Sequence, residues 1–200
     1  MKKLICVHFS IIAIAMCLSG CGGGNPYQES NDPKIILNDT PVAIKNYLGE
    51  PYWKDESASN GGGNPIDGVG CLLNENYHIH SHLSIFYNGT RLAIPKNIGL
   101  KGCAYEIHTH DNSGIIHIET DKEKKFSLGQ FFSVWGKSLL STEVAGVHGI
   151  PIKVYVVDEN SMMEVETNWA GIEFTPHRSI SIVIGTPPAK LPSYSWPTGL

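Results

Sequence analysis

Apolar and polar residues alternate along residues 77–87 (YHIHSHLSIFY), and this period of two predicts a β-strand rather than a helix. Ile79, Leu83 and Ile85 fall on one face of that strand. The other face carries a run of polar side chains, namely His78, His80, His82 and Ser84. The strand therefore has one face for a hydrophobic core and an opposite face that is rich in histidine.

A tight turn is predicted immediately after this strand, because Asn88-Gly89 is the strongest short hairpin signal. The segment RLAIP that follows is the expected return strand. A two-residue turn pairs Ile85 with Leu92 and Leu83 with Ile94, so the apolar side chains of the two strands meet on one face.

A second hairpin is predicted around the turn sequence DNSG at residues 111–114. A symmetric turn defines three cross-strand pairs, namely His108 with His117, Glu106 with Glu119, and Ile107 with Ile118. A slip of one residue would send the histidines to opposite faces, so this register is a definite expectation.

One helix is expected, over Leu128–Trp135, where apolar residues recur at helical spacing. Ser127 and Gln130 form a capping-box pattern, and Gly136 is suited to end the helix. Strands are predicted at 150–158, 163–167 and 179–184 from runs of Val, Ile and Met. The expected fold class is α+β, with a mainly antiparallel β-sheet built from hairpins and one helix covering its apolar face.

The N-terminal residues 1–20 contain two lysines, then an apolar run, then small residues, which is typical of an export signal. Leu18-Ser19-Gly20-Cys21 resembles the bacterial lipobox, in which the cysteine is acylated and becomes the first mature residue; a plain secretory signal is the alternative. We therefore expect a lipoprotein anchored at the cell envelope through Cys21, with the membrane as a partner but no spanning segment.

The rest of the chain is expected to divide into four parts by composition. These are a flexible tether at 21–33, a leader of undecided structure at 34–65, a histidine-rich β-dominated domain at 66–186, and a proline-rich tail at 187–200. The chain is 42% hydrophobic and 17% charged, an ordinary globular composition. Its formal net charge of −4 excludes a basic nucleic-acid-binding protein, and no nucleic-acid partner is expected.

Two cysteines, Cys71 and Cys103, remain in the mature domain after the signal and the acylated residue are set aside. In an oxidising compartment an even pair is expected to form a disulfide. The alternative is a pair of metal thiolates, since both cysteines flank the histidines.

Six of the nine histidines lie between residues 78 and 117, and most belong to His-x-His steps. Neighbours on one strand face and on the next strand are close enough for imidazoles to converge on one metal ion. The best candidate ligands are His80, His108, His110 and His117, followed by His78, His82 and Glu119. Because His78 and His82 are about 13 Å apart along an unbent strand, one of them lies outside the site or there are two sites.

Three acidic residues accompany these histidines. Glu106 opposite Glu119 is unfavourable unless a cation, a proton or a basic side chain lies between them. Asp111 either forms the turn or orients a neighbouring imidazole. Such ligands suit zinc, copper, iron or nickel. Met162 and Met163 either hint at copper or fill surface gaps.

The favoured function is a membrane-tethered, exported metal-binding lipoprotein that handles or senses copper or zinc. One alternative is a metal-dependent envelope enzyme, a hydrolase or oxidase, with Glu106 or Glu119 as general base. Another is a structural or adaptor envelope module whose histidines only form hydrogen bonds. The sequence contains no nucleophile elbow, P-loop or dinucleotide-binding fingerprint.

Five segments carry a resemblance to a known family: YHIHSHLSIFYNG, IPKNIGL, CAYEIHTHDNSGIIHIE, FSLGQFFSVWG and the closing IGTPP. Over residues 66–200 the chain resembles a family of exported or lipid-anchored bacterial proteins known mainly as conserved hypothetical sequences. The resemblance implies an exported domain with histidine-rich strands as its hallmark, and it implies no particular activity.

Overall fold

The structure is a computed structural model that describes residues 36–42, 52–53, 60–159 and 161–200. The predicted signal peptide at 1–20, the lipidation site Cys21 and the tether at 21–33 lie outside the described residues. The described residues belong to one compact unit, Lys34–Leu200.

Strands dominate the part of the chain that the structure describes. In chain order they are β1 (Ile36–Val42), β2 (Tyr77–Tyr87), β3 (Thr90–Leu92), β4 (Ile107–His108), β5 (Ile115–Thr120), β6 (Glu143–Val144), β7 (Val147–His148), β8 (Ile152–Asp158), β9 (Ser161–Val165), β10 (Ser179–Ile184) and β11 (Lys190–Tyr194). One α-helix, α1 (Leu128–Trp135), lies between β5 and β6, and a 3₁₀ turn spans Trp169–Gly171. The predicted α+β class is confirmed.

The main sheet has seven strands in the order β4-β5-β2-β10-β8-β9, with β3 beside β2. Most neighbours are antiparallel, but β2 and β10 are parallel, pairing His82 with Ser179 through to Tyr87 with Ile184. The expectation of a mainly antiparallel sheet therefore holds for most strand pairs, but the sheet is mixed because β10 joins β2 in parallel. Hairpin signals report only on strands that are adjacent in the chain. Strand β10 is distant from β2 in the sequence and pairs with the edge of β2 opposite to β3 and β5.

The turn after β2 forms as predicted, since β3 pairs Ile85 with Leu92. However, β3 ends at Leu92, so the predicted pair of Leu83 with Ile94 does not form. On the opposite edge of β2, Leu83 pairs with Ile180 of β10. The amide of Leu83 donates to the carbonyl oxygen of Gly114, 2.9 Å away. A Cβ at Gly114 would lie 2.2 Å from the Leu83 oxygen, so only glycine lets this turn approach β2 so closely.

Helix α1 has both predicted caps. The Ser127 side chain accepts the amide of Gln130 while the Gln130 side chain accepts the amide of Ser127, and Gly136 ends the helix in the left-handed conformation at φ 69°. Its apolar stripe packs on the apolar face of the sheet, in a core that includes Leu83, Ile85, Ile107, Ile118, Phe131, Phe132 and Trp135. The opposite face of β2, β4 and β5 carries the histidines.

Structure extends into both segments that flank the predicted β-dominated domain. Strand β1, in the predicted leader, runs parallel to β11, in the predicted tail, and Ile36 pairs with Lys190. Within β11, Leu191 is fully buried. The tail therefore contributes a strand and buried side chains to the fold.

The predicted disulfide joins Cys71 to Cys103, with 5.9 Å between their Cα atoms. It uses both sulfur atoms, so neither cysteine is a thiolate ligand. The bond ties the chain just before β2 to the chain just before β4, and a β-bridge between Cys71 and Tyr105 reinforces this connection.

Replacing both cysteines, as Cys71→Ala/Cys103→Ala, is expected to lower the free energy of unfolding without removing a metal ligand. Releasing a loop of roughly 33 residues costs about 3.7 kcal/mol in the chain-entropy model. Denaturant unfolding measures the loss, and elemental analysis of the folded variant checks the metal content. A variant of unchanged stability would contradict this expectation.

Candidate metal centre

Three neighbouring strands place their histidines in one row across the sheet. His80 of β2 pairs with His117 of β5, and His117 pairs with His108 of β4. The His108–His117 and Ile107–Ile118 pairs are those that the sequence predicts. In the next row, His78 pairs with Glu119. The backbone ladder therefore positions these candidate ligands, whereas His110 lies two residues beyond the end of the ladder in β4.

One group of possible ligands consists of His78, His80 and His117, whose nitrogen atoms all lie within 4.8 Å of one another. His80 Nε2 is 3.1 Å from His117 Nδ1, and His78 Nε2 is 3.4 Å from the same atom. Two ligands of a tetrahedral ion with bonds of about 2.0–2.1 Å are about 3.3 Å apart. The spacing of these nitrogens matches that geometry.

A second group consists of His108, His110 and Glu119, also within 4.8 Å of one another. His108 Nδ1 lies 2.7 Å from the carbonyl oxygen of Tyr105, which is an acceptor only, so this nitrogen carries the proton. The bare Nε2 of His108 then faces His110 Nε2 at 3.0 Å. A carbonyl that fixes the tautomer in this way is the usual support of a metal-binding histidine.

The carboxylate of Glu119 lies among the imidazoles and is 5% exposed as a residue. Its Oε1 atom is 3.1 Å from His78 Nε2 and 3.5 Å from His117 Nδ1, whereas its Oε2 atom is 3.6 Å from His108 Nε2. Burial raises the pKa of Glu119 above its ordinary value. A cation held here would stabilise the buried carboxylate in its charged form.

The inner imidazoles are neutral at pH 7. Burial, reinforced by neighbouring histidines, lowers the pKa of His80 to about 4 and that of His117 to about 2. Burial also lowers the pKa of His108 to about 4, although its bond to Tyr105 acts in the opposite direction. Neutral imidazoles have a nitrogen lone pair for a metal, so the cluster is geometrically and electrostatically able to hold a metal ion.

His82 lies apart from this cluster, in a separate buried network. Its Nε2 is 2.9 Å from Arg91 Nη2 and 3.1 Å from the Ser113 carbonyl oxygen, and its ring stacks on Tyr194 with centroids 3.7 Å apart. Burial and then Arg91 lower its pKa well below the ordinary value. Of the two histidines that lie four residues apart on β2, His78 is in the cluster and His82 is outside it.

The remaining residues that the sequence analysis named as candidates lie outside the histidine cluster. The Glu106 carboxylate accepts from Lys124 Nζ at 2.5 Å and from the Gly70 amide at 2.8 Å. Asp111 accepts the amide of Ser113 at 2.8 Å and thus shapes the turn. Met162 and Met163 are on β9, at the edge of the sheet opposite β4 and β5.

Sequence reasoning missed one residue of the region. Glu75, exposed and just before β2, forms a third possible ligand group with His78 and Glu119. Its position three residues before His78, next to the start of β2, is the only sequence feature that connects it with the candidate ligands. An isolated acid in the polar segment LLNEN gave no periodic pattern that would distinguish it.

Comparison of the chain with family models, curated proteins and solved structures found no match in any of the three. The resemblance to exported bacterial proteins stays a prediction. Among the residues that the structure describes, no helix has the length and hydropathy needed to cross a bilayer. The chemistry of the site therefore has to be argued from its own geometry.

The metal-free protein is expected to lose stability as the pH falls from 6.5 towards 4. His80 and His108 have a pKa of about 4 in the folded protein against 6.5 ordinarily, so over this range the unfolded chain binds more protons. The loss is on the order of 3 kcal/mol for each of these two histidines. Chemical denaturation at a series of pH values in the presence of a chelator measures it.

The double variant His80→Gln/His117→Gln provides the control for this pH dependence. Because it lacks two of the buried imidazoles, its free energy of unfolding should fall less steeply over the same pH range. Equal slopes for the two proteins would show that the buried histidines do not cause the acid sensitivity.

Proposed function

We propose that the protein is an exported, membrane-tethered lipoprotein that binds copper or zinc and serves to handle or sense that metal. The observation that carries the proposal is the convergence of four imidazoles and one buried carboxylate on the face of β2, β5 and β4, with a fifth imidazole, His110, from the chain just after β4. The spacing of the donor atoms, 3.0–3.4 Å between neighbouring nitrogens, supports tetrahedral ligation.

The donor set favours borderline transition metals over magnesium or calcium. Hard cations take oxygen ligands, whereas imidazole suits zinc, copper, iron and nickel. The sulfur atoms of Cys71 and Cys103 are in the disulfide, and the methionines lie at the far edge of the sheet. The expected first shell is therefore nitrogen with carboxylate oxygen, which suits Zn²⁺ and Cu²⁺ better than a thiolate-demanding ion.

Binding is favoured over catalysis because each candidate base already has close partners. Glu106 is paired with Lys124, and Glu119 lies within 3.6 Å of three imidazoles that compete for its oxygens. A general base needs a carboxylate that reaches the substrate proton. The arrangement thus supports a carboxylate ligand rather than a carboxylate that moves protons.

The metal-binding proposal is tested with the full chain, purified in detergent without a histidine tag. Wild-type protein should retain or take up Zn²⁺ or Cu²⁺, and the double variant His108→Asn/His117→Asn should bind it at least 100-fold more weakly because each group loses a ligand. Elemental analysis and competition with a chromogenic chelator measure this.

His148→Asn is the matched control, since His148 is exposed and pairs with Glu143 outside the cluster. It should bind metal as the wild type does. Wild-type protein that binds neither metal more tightly than the double variant would overturn the proposal and leave the histidines as a hydrogen-bonded network.

The proposed lipid anchor is tested separately by Cys21→Ala. Two or more acyl chains, at about 0.8 kcal/mol per buried methylene, hold a protein stably at a membrane. The wild type expressed in a bacterial host should therefore fractionate with membranes and incorporate labelled palmitate, and the variant should do neither. A wild-type protein that is soluble and unlabelled would favour a plain secretory signal.

A further inference from the structure

We propose that the cluster binds two metal ions side by side, bridged by the Glu119 carboxylate, rather than one shared ion. This inference rests on the proposed metal-binding function and deepens it. One ion would be held on the side of His78, His80 and His117, and the other on the side of His108 and His110.

The number of donors exceeds what one such ion takes. Zinc in proteins is almost always four-coordinate. The two groups His78/His80/His117 and His108/His110/Glu119 have no member in common, yet the donor atoms of each group lie within 4.8 Å of one another. Five imidazoles and a carboxylate therefore form two incomplete shells more naturally than one overfilled shell.

The two carboxylate oxygens of Glu119 lie next to different ligand groups. Oε1 is 3.1 Å from His78 Nε2 and 3.5 Å from His117 Nδ1. Oε2 is 3.6 Å from His108 Nε2 in the other group. A carboxylate that offers one oxygen to each of two ions holds them at the separation of about 3.5–4 Å that is typical of two-metal sites.

The imidazole rings of the two groups are in contact, since the His110 ring centroid lies 4.3 Å from the His117 ring centroid, but their donor nitrogens face different partners. The rings of His108 and His117 are stacked, with 5.6 Å between centroids and 8° between planes. Yet His117 presents Nδ1 to His78 and His80, whereas His108 presents Nε2 to His110. Two parallel imidazoles on adjacent strands thus direct their donor atoms at two different centres.

The ligand groups also contain negative charge that would balance bound cations. Glu119 is the buried acid between the groups, and exposed Glu75 adds a second carboxylate beside His78. Because all five imidazoles are uncharged as ligands, these two carboxylates are the negative charges that the ligand groups supply. Glu119 is therefore expected to contribute to the binding of both ions.

The test is the number of ions bound by the full chain in detergent, titrated with Zn²⁺ and followed by native mass spectrometry and elemental analysis. Wild type should bind two ions. His80→Asn should bind one ion, and His110→Asn should also bind one, because each variant damages a different group. Glu119→Gln, which keeps the size of the side chain, should weaken the second ion at least tenfold.

Copper provides an independent readout of the distance between the ions. With two equivalents of Cu²⁺, the wild type should show the half-field electron paramagnetic resonance signal of a coupled pair, and Glu119→Gln should lose it. His148→Asn should keep it. Thermal unfolding of each variant identifies any that fail to fold, and the wild-type count and the wild-type copper signal remain decisive in that case.

The outcomes separate this inference from the metal-binding proposal. One ion in the wild type, weakened by both His80→Asn and His110→Asn, overturns the two-ion site and leaves a single metal-binding site. No ion in the wild type overturns the proposed function itself. Two ions that bind without any effect of Glu119→Gln or coupling between coppers overturn the bridge.

Discussion

The register of the β2-β5-β4 ladder is the constraint on which the rest of the site depends. Side chains alternate along each strand, so the same pairing that aligns Ile79, Ile118 and Ile107 on the core side must align His80, His117 and His108 on the other. Burial of the isoleucines stabilises this register, because a slip of one residue would expose them. The hydrophobic core therefore fixes the positions of the imidazoles.

This register imposes an unfavourable arrangement on the metal-free histidines. Burial lowers the pKa values of His80, His108 and His117, so these imidazoles are unprotonated near neutral pH and each keeps one nitrogen lone pair that needs a partner. At the same time His108 Nε2, which is bare because Nδ1 is bonded to Tyr105, can only accept from His110. A hydrogen-bonded network needs a proton in every such short contact, whereas a metal ion satisfies several lone pairs at once. The geometry is thus better used by cations than by protons.

The sequence allowed prediction of the features that depend on neighbours in the chain. The register of β4 with β5, the turn after β2, both caps of α1 and the Cys71–Cys103 bond follow from spacing, capping residues and cysteine count. The sequence did not predict the parallel pairing of β10 with β2, because alternation in β10 does not encode which strand it joins or in which direction. Likewise, nothing local distinguishes β1 or β11 from loops, since each gains its hydrogen bonds only from the other.

Prediction of the site was limited for the same reason: the local sequence shows which residues share a strand face but not which distant strands pair with it. The two faces of β2 were evident, and the length of the strand implied that His78 and His82 could not share one centre. Which of them belonged to the cluster depended on the partner strand at each end. His78 meets Glu119 of β5, whereas His82 is reached by Arg91 and the ring of Tyr194 from β11, the strand that the sequence did not predict.

The position of the site beside the hydrophobic core also bears on whether a bound metal ion would stabilise the fold. Structural zinc sites supply much of the folding free energy of small domains that lack a core. Here an apolar core beneath α1 and a disulfide stabilise the same strands without any ion. His80, His108 and Glu119 form a buried inner wall, while His78, His110 and Glu75 are exposed at the rim. The proposed site is open on one side, and its strands are stabilised by a core and a disulfide of their own. Such a site would be able to take up and release ions as the supply changes, which favours the proposed role of the metal as cargo or signal over a structural role.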